Sequence, residues 1–433
     1  MGASLLAEIR ERPEMRFSYR YPDSRSTNVG IGLGNHGPYD RDLPDRPKTC
    51  GLGLIYPLDW QKSADEFKNQ FLNGYAYLRG GFQEFFKLDD VEITMYPVEF
   101  TEKGYQEGTN QVLASEHDIA LVLVSEKMKL RDFGPYWISK AFLTNRGLPS
   151  QMLKIETIND SVVFRNSIVN LASQIYAKLG GIPWVIHDPV SDADIIIGVG
   201  ESKYRRGRYG AEKKAVGFTT AYKNNGAYLW FGSISTISDS QSFDKDLSEN
   251  IVKSVDRYED KEKKKAKKVV IHSYKRIGYA EKLAVQKLKE KENIKVVLAH
   301  VNRSHNLRIF DPDDSTGLSR AGLIVQNADT ECLVLSVGRG RLRGERAANT
   351  PLWVKTYPNG ADFEPVKLVA RNIYDLCYVR WEDQFGAAEP VTIGYSEDIA
   401  EMLQKMDILR ERGEAGIAPP LVHPKLEKIP WFI

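Results

Sequence analysis

The sequence predicts an α/β protein with two domains, a doubly wound one followed by one with a mixed sheet. Its 433 residues suffice for two or three domains, at roughly 100 to 200 residues each, and the hydrophobic content of 42% supports a core in each. Short β-rich runs alternate with amphipathic helical runs from about Thr49, and a second such series begins after Pro183. We therefore expect an N-terminal segment at residues 1–45, a first domain at 46–185 and a second at 186–433.

The elements of the first domain follow from the periodicity of its apolar residues. Residues 60–78 place Phe67, Phe71 and Tyr75 at i, i+4 and i+8, on one face of a predicted helix. Three apolar runs are predicted as strands, at residues 51–56, 91–95 and 117–124. The last of these runs is nearly without polar residues, which is typical of a strand buried in a parallel sheet.

The second domain begins with a strand and a hairpin. Asn225 and Gly226 are a strong hairpin-turn signal between two of its strands. The predicted strands are residues 194–200, 215–222, 227–233, 269–272 and 294–300, and the predicted helices are residues 243–258 and 279–291. A hairpin followed by a β-α-β unit is compatible with a mixed sheet of the ribonuclease-H-like kind.

The composition excludes a uniformly basic protein that coats nucleic acid. Lys and Arg total 60 and Asp and Glu total 58, a net charge of +2, so any binding of phosphates must come from local patches. Two Arg- and Gly-rich segments, residues 203–208 and 339–346, suit such contacts.

Three dispersed cysteines predict a reduced, cytoplasmic protein, and no run reaches the ~18 apolar residues of a membrane span. The glycines at residues 30–34 lack the spacing of a dinucleotide-binding loop, and we interpret them as a chance match.

The most informative segment of the chain is residues 136–178, which carries two polar groupings. Tyr136 and Lys140 lie at i and i+4 on a predicted helix, so a phenol and an ammonium share one face. Gln151 follows a turn, and a further helix, capped by residues 159–160, carries the rest of the polar set. That helix places three polar residues on one stripe, namely Asn170, Gln174 and Lys178. Together these groups could converge on one anion.

This pattern resembles the guide-binding MID domain of short prokaryotic Argonautes. The resemblance rests on Tyr-x-x-x-Lys, on a Gln after a Leu-Pro-Ser turn, and on Gln-x-x-x-Lys-Leu-Gly-Gly-x-Pro-Trp at residues 174–184. It extends from Asn35 to the last residue and implies a Rossmann-like MID domain followed by a ribonuclease-H-like PIWI domain. By the resemblance, four residues bind the 5′ phosphate of a guide strand and a fifth contacts the guide backbone: Tyr136, Lys140, Gln151 and Lys178, and Asn170.

The same resemblance assigns a role to the last residues of the sequence. Pro430-Trp-Phe-Ile433 carries two aromatic rings and an isoleucine that favour burial. In the family, the terminal carboxylate and the Gln corresponding to Gln174 hold a divalent cation beside the guide phosphates. The resemblance therefore implies that Gln174 and Ile433 bind Mg²⁺ or Mn²⁺, which suits hard oxygen ligands.

The resemblance also predicts that the PIWI domain is catalytically inactive. Slicing PIWI domains hold two metals about 3.5 to 4 Å apart with a cluster of carboxylates. Gly200 and Tyr274 occupy the positions of its first and second aspartates, whereas Glu397 keeps a carboxylate at the fourth position. Because one carboxylate cannot hold two metals, we expect no catalytic residues.

The partners follow from the resemblance alone. About 45 residues precede the predicted MID strands, so we expect no N or PAZ domain. The family implies a short guide strand, RNA rather than DNA, that recognises complementary DNA of an invading plasmid or phage. It further implies a separate effector that causes abortive infection, either an APAZ-containing protein with a TIR or sirtuin-like NAD-hydrolysing domain or another effector. An active guided nuclease and a dimeric nucleic-acid-binding protein without a defined guide remain alternatives.

Overall fold

The computed structural model describes residues 6–130, 134–205, 212–233, 240–291, 294–315, 317–338, 349–413 and 416–433. Of the two basic segments named above, residues 206–208 and 339–346 lie outside this part of the chain, and the side chains of residues 203–205 do so too. None of the helices in the described ranges is both long and apolar enough to cross a membrane.

Strands and helices alternate along most of the chain. The strands are β1 (Leu6–Ile9), β2 (Met15–Arg16), β3 (Arg25–Ser26), β4 (Thr49–Pro57), β5 (Asp90–Val98), β6 (Ile119–Val124), β7 (Ser150–Lys154), β8 (Val185–Ile186), β9 (Ile195–Arg205), β10 (Glu212–Tyr222), β11 (Tyr228–Ser233), β12 (Lys268–Ser273), β13 (Lys295–Asn302), β14 (Leu323–Ala328), β15 (Glu331–Val334) and β16 (Leu352–Thr356). The helices are α1 (Val29–His36), α2 (Gln61–Asn73), α3 (Gly81–Phe85), α4 (Glu102–Ala114), α5 (Glu126–Leu130), α6 (Pro135–Asn145), α7 (Ile155–Asn159), α8 (Ser161–Lys178), α9 (Ser240–Glu262), α10 (Tyr279–Lys291), α11 (Val366–Leu376) and α12 (Val391–Glu411).

The chain divides into two compact units. The parallel-sheet unit comprises Met15–Val185 and Glu401–Ile433, and the mixed-sheet unit comprises the described residues of Met1–Glu14 and Ile186–Ala400. The sequence assigned residues 401–433 to the second domain, whereas in the structure they cluster with the first. The boundary falls inside α12, a helix that has residues in both units.

The parallel-sheet unit is built on four strands in the order β5-β4-β6-β7, all of them parallel. Every residue of β6 is buried, as its apolar sequence predicts. The helix α8 begins where expected, because the Asp160 carboxylate caps the main-chain N–H groups of Val162 and Val163. Its last residue is Lys178, so α8 carries the predicted polar stripe to its carboxyl end.

The mixed-sheet unit is built on one large sheet, ordered β1-β14-β15-β16-β13-β12-β9-β10-β11 within the described residues. Its centre is parallel, with β12 between β9 and β13, and its outer pairs are antiparallel. The hairpin of β10 and β11 forms at the predicted turn. The α/β class and this mixed sheet confirm the predicted architecture.

Two of the helices that were not predicted from the sequence include residues discussed above. Residues 30–34 form most of α1, in which Gly32 lies against the buried ring of Phe17. The glycines therefore serve close packing of a short helix. The segment after residue 390, for which no helix was predicted, is helical up to Glu411.

Candidate nucleic-acid interface

The first part of the candidate site lies on α6. Lys140 is 5% exposed and points its ammonium at the end of the chain, where Nζ donates a hydrogen bond to the Phe432 carbonyl at 3.3 Å. Tyr136 lies one helical turn earlier and is half-buried, with its ring edge-on to Trp137 at a centroid distance of 4.9 Å. The pair predicted at i and i+4 is thus on one helix, as expected.

The side-chain amide of Asn145 bonds residues 418–421 to the end of α6. Asn145, the last residue of α6, donates from Nδ2 to the carbonyls of Ala418, Pro420 and Leu421 at 2.7, 2.9 and 3.1 Å. Beyond this point Trp431 and Phe432 are buried at 1% and 5% exposure, as the apolar end of the sequence predicts. The terminal segment therefore packs as an integral part of the parallel-sheet unit.

The second part of the site is a chain of hydrogen bonds between β7 and α8. Lys178 is 1% exposed, and its Nζ donates to Gln151 Oε1 at 2.6 Å and to the Ser150 carbonyl at 2.8 Å. Gln151 Nε2 in turn donates to Gln174 Oε1 at 3.2 Å. Gln174 Nε2 donates to the Asn170 carbonyl at 3.3 Å. Three predicted site residues, Gln151, Gln174 and Lys178, thus form one connected polar group.

The structure brings the predicted residues together in two sets. One set is Lys178, Gln151 and Gln174, with Asn170 contributing its main-chain carbonyl. The other set is Lys140 with the Phe432 carbonyl, next to which lies Ile433, the last residue of the sequence. The two sets contain two buried ammonium groups and two side-chain amides, which are hydrogen-bond donors of the kind that bind phosphates.

Sequence reasoning missed a buried carboxylate that holds the end of α8. Asp40 is 3% exposed and accepts hydrogen bonds from the Tyr176 hydroxyl at 2.8 Å and from the Ile182 main-chain N–H at 2.9 Å. The turn between them requires glycine, because a Cβ on Gly181 would lie 2.2 Å from the Tyr176 ring. Asp40 therefore clamps both sides of the turn that follows Lys178.

The same carboxylate predicts a pH dependence of stability. Burial raises the pKa of Asp40 to about 6, against the hydrogen bonds from Tyr176 and Ile182 that lower it. Between about pH 4 and pH 6 the folded state keeps a proton that the unfolded state has lost, so stability falls as the pH rises through this window. The effect amounts to about 3 kcal/mol and is constant above pH 6.

We expect Asp40→Asn to remove this decline. The free energy of unfolding of both proteins is measured with denaturant at several pH values. From pH 4 to pH 7 the unmodified protein should lose about 3 kcal/mol relative to the variant. Carboxylates whose pKa is lowered in the folded state, such as Asp42, act equally in both proteins and cancel. Parallel pH profiles for the two proteins would contradict this role of Asp40.

Gly200 and Tyr274, the two positions predicted to have lost a carboxylate, line one cavity of about 260 Å³ in the mixed-sheet unit. A Cβ on Gly200 would lie 2.3 Å from the ring of Phe218, which is fully buried on the neighbouring strand. The hydroxyl of Tyr274 donates to the Glu201 carbonyl at 2.6 Å, and Lys275 forms an ion pair with the Glu201 carboxylate. Burial raises the pKa of Tyr274 to about 12, so its phenol is neutral.

Glu397, the carboxylate predicted to remain, lies on α12. Burial and the neighbouring Glu389 raise its pKa to about 7, although the positive charge of Arg303 opposes this. Arg303 forms an ion pair with Glu389. The carboxyl group of Glu397 is therefore harder to ionise than that of an exposed glutamate. Across the described residues, no group of three or more His, Cys, Asp or Glu side chains could hold a metal ion.

The fold is that of an α/β protein with a parallel-sheet unit and a ribonuclease-H-like mixed sheet. The family model of the Piwi domain matches residues 120–407. The chain therefore belongs to the Piwi domain family.

Its similar proteins include Argonautes of bacteria. The chain is 23% identical to the Argonaute of Cereibacter sphaeroides over 98% of its own length and 59% of that protein, so it spans about three fifths of this relative. It is also 23% identical to a Piwi protein of Archaeoglobus fulgidus, over 95% of both chains. The structure of Clostridium butyricum Argonaute bound to a guide DNA and a 19-mer target DNA superposes with a TM-score of 0.69 at 15% identity, over 93% of this chain and 53% of that one. This likeness confirms the predicted fold class.

Proposed function

We propose that this chain binds a short guide strand by its 5′ phosphate and uses it to recognise a complementary nucleic acid. The observation that carries the proposal is the connected group of Lys178, Gln151 and Gln174 in the parallel-sheet unit, together with Lys140 on α6. Buried ammonium groups bind a phosphate more strongly than exposed ones, because little water screens the attraction. Tyr136 and Asn170 complete the proposed site, on the phosphate and on the guide backbone respectively.

A divalent cation, Mg²⁺ or Mn²⁺, is part of the proposed site. Gln174 and the carboxylate of Ile433 would supply oxygen ligands of the kind that these ions prefer. When bound, the cation would neutralise part of the charge of the guide phosphates.

We further propose that the mixed-sheet unit does not cut the target. Gly200 and Tyr274 supply no carboxylate to the cavity that they share, and the Phe218 ring lies where a side chain at position 200 would begin. Glu397 is the one carboxylate at the positions predicted for the cluster, and one carboxylate cannot hold two metal ions. The carboxylates that line the cavity are Glu201, Asp244 and Glu281, and they belong to no group of three or more side chains, among the described residues, that could hold a metal ion.

The test is a binding and cleavage assay with Mn²⁺, a 5′-phosphorylated guide and a fully paired target. We expect stable binding and intact target strands, and we expect Glu397→Ala to change neither result, because no metal pair depends on it. Both RNA and DNA guides are to be compared, with RNA expected to bind better. Cutting of the target at one position, with a matched guide only, would place the chain among the slicing proteins and contradict the proposal.

The proposed biological role is that of a sensor in defence against plasmids or phages. Target recognition would activate a separate effector, such as an APAZ-containing protein with a TIR or sirtuin-like domain, and so cause abortive infection. The three cysteines are buried and free, which fits a reducing compartment such as the cytoplasm. Purification from the native host, followed by identification of the bound protein and sequencing of the bound nucleic acid, tests this role; recovery of neither would contradict it.

A further inference from the structure

An exposed surface with aromatic and basic residues lies in the parallel-sheet unit, and it includes none of the residues assigned to the proposed phosphate site. Tyr19 and Tyr21 are large aromatic residues with 56% and 49% of their surface exposed. The guanidinium of Arg20 lies 5.6 Å from the centroid of the Tyr21 ring, and that of Arg41 lies 5.5 Å from the same centroid. We call Tyr19, Arg20, Tyr21 and Arg41 the tyrosine-arginine surface.

The backbone that presents these rings is firmly anchored. Phe17 is fully buried, and its main-chain N–H donates to the Ser24 carbonyl at 2.8 Å. The Ser24 hydroxyl donates to the Tyr21 carbonyl at 2.5 Å, and the Tyr19 N–H donates to the Tyr39 carbonyl at 2.7 Å. The Tyr19 ring also meets the Tyr39 ring edge-on, at a centroid distance of 5.9 Å. Because the backbone is already fixed, binding of a ligand over the rings costs little conformational entropy of this segment.

The tyrosine-arginine surface is connected to the end of the helix that carries Lys178. The Tyr39 N–H donates to the Pro183 carbonyl at 3.0 Å. The next residue, Asp40, accepts from Tyr176 and Ile182 on either side of Lys178. The surface and the proposed phosphate site are therefore attached to the same turn of the chain.

We propose that the tyrosine-arginine surface binds single-stranded nucleic acid independently of its 5′ end. The exposed ring of Tyr19 can stack on a base of any sequence, and the two guanidinium groups that lie over the Tyr21 ring can contact phosphates and the faces of bases. Arg20 is exposed, and Arg41 also contacts Asp42 at 3.2 Å, a carboxylate that interacts with the charges of both arginines. The inference rests in part on the proposed function, because it adds a second contact along the same strand.

The test measures binding of labelled single strands by fluorescence anisotropy, with a 5′ phosphate or a 5′ hydroxyl, to the full chain. Replacing both rings, by Tyr19→Ala with Tyr21→Ala, should weaken binding of both strands by roughly tenfold or more, because stacking is lost whatever the 5′ end. The ratio of the two affinities should stay as in the unmodified protein. Replacing both tyrosines by phenylalanine should preserve binding, since the rings remain.

The matched control is Tyr77→Ala, which removes a ring that is 54% exposed in the same unit and should leave binding unchanged. Unchanged affinity of the double alanine variant for both strands would overturn the inference. It would also be overturned if the variant bound both strands normally but no longer copurified with a protein that the unmodified chain retains, because the surface would then bind that protein. If the unmodified protein bound the 5′-phosphate and 5′-hydroxyl strands equally well, the proposed 5′-phosphate site would be contradicted. The double alanine variant would still test whether the tyrosine-arginine surface binds single strands. The two failures are therefore distinguishable.

Discussion

Replacing Lys140 and Lys178 together by alanine should lower the affinity for a 5′-phosphorylated guide by about 3 to 6 kcal/mol, or roughly a hundredfold to ten-thousandfold. Each ammonium is buried and is proposed to donate a charge-assisted hydrogen bond to the same phosphate. A guide with a 5′ hydroxyl should bind almost as before, because it offers these groups no terminal charge. Titration of both guides against the unmodified and the variant protein measures the difference.

Folding must be controlled in this experiment, since both lysines also hold neighbouring main-chain carbonyls. Lys68→Ala is the matched control, because Lys68 lies in the same unit and its Nζ donates to the Ile93 carbonyl at 2.9 Å. A thermal melt of each variant shows whether the fold survives. If both guides lost affinity equally in a folded double variant, the two lysines would be general backbone contacts and the assignment of a 5′-phosphate site would be wrong.

Removing Phe432 and Ile433 should abolish the dependence of guide binding on Mg²⁺ or Mn²⁺. The truncation takes away a buried ring, the carbonyl that accepts from Lys140 and the proposed cation ligand. Loss of the ring alone should cost about 3 to 5 kcal/mol of stability. Guide titrations with and without the cation, each paired with a melt, separate the two effects.

A sharper variant leaves the packing in place. Adding one glycine after Ile433 keeps both apolar side chains but moves the carboxylate away from its position. The extended protein should melt like the unmodified one and still lose its response to the cation. A folded protein of either kind that remains responsive would refute the role of the terminal carboxylate.

The local elements could be predicted because their signals are contained in short windows. The uninterrupted apolar residues of β6 and the capped, striped sequence of α8 determine their elements with little help from the rest of the chain. Residues 30–34 carry no such local signal, since glycine has a low helix propensity, yet they form a helix in which Gly32 lies against Phe17. Tertiary contact overrode local propensity there.

The candidate site was predictable only in part, and mostly through a resemblance. The stripe on α8 was visible in the sequence, but its hydrogen bonds to Gln151 join residues 23 and 27 positions apart. The clamp by Asp40 joins residues 136 positions apart, and no periodic pattern connects them. Nor does any pattern show that the Phe218 ring lies against Gly200. Such contacts are decided by the packing of whole elements.

The clamp at Asp40 also bears on how this unit opens. One carboxylate joins the N-terminal segment to the last turn of α8 and to the residues beyond it, and Tyr39 adds a further bond to Pro183. Segments bonded in this way unfold locally as one cooperative group rather than fraying one by one. The end of α8 therefore cannot loosen unless the N-terminal segment detaches with it, so the ammonium of Lys178 keeps its position through the small fluctuations that open exposed turns.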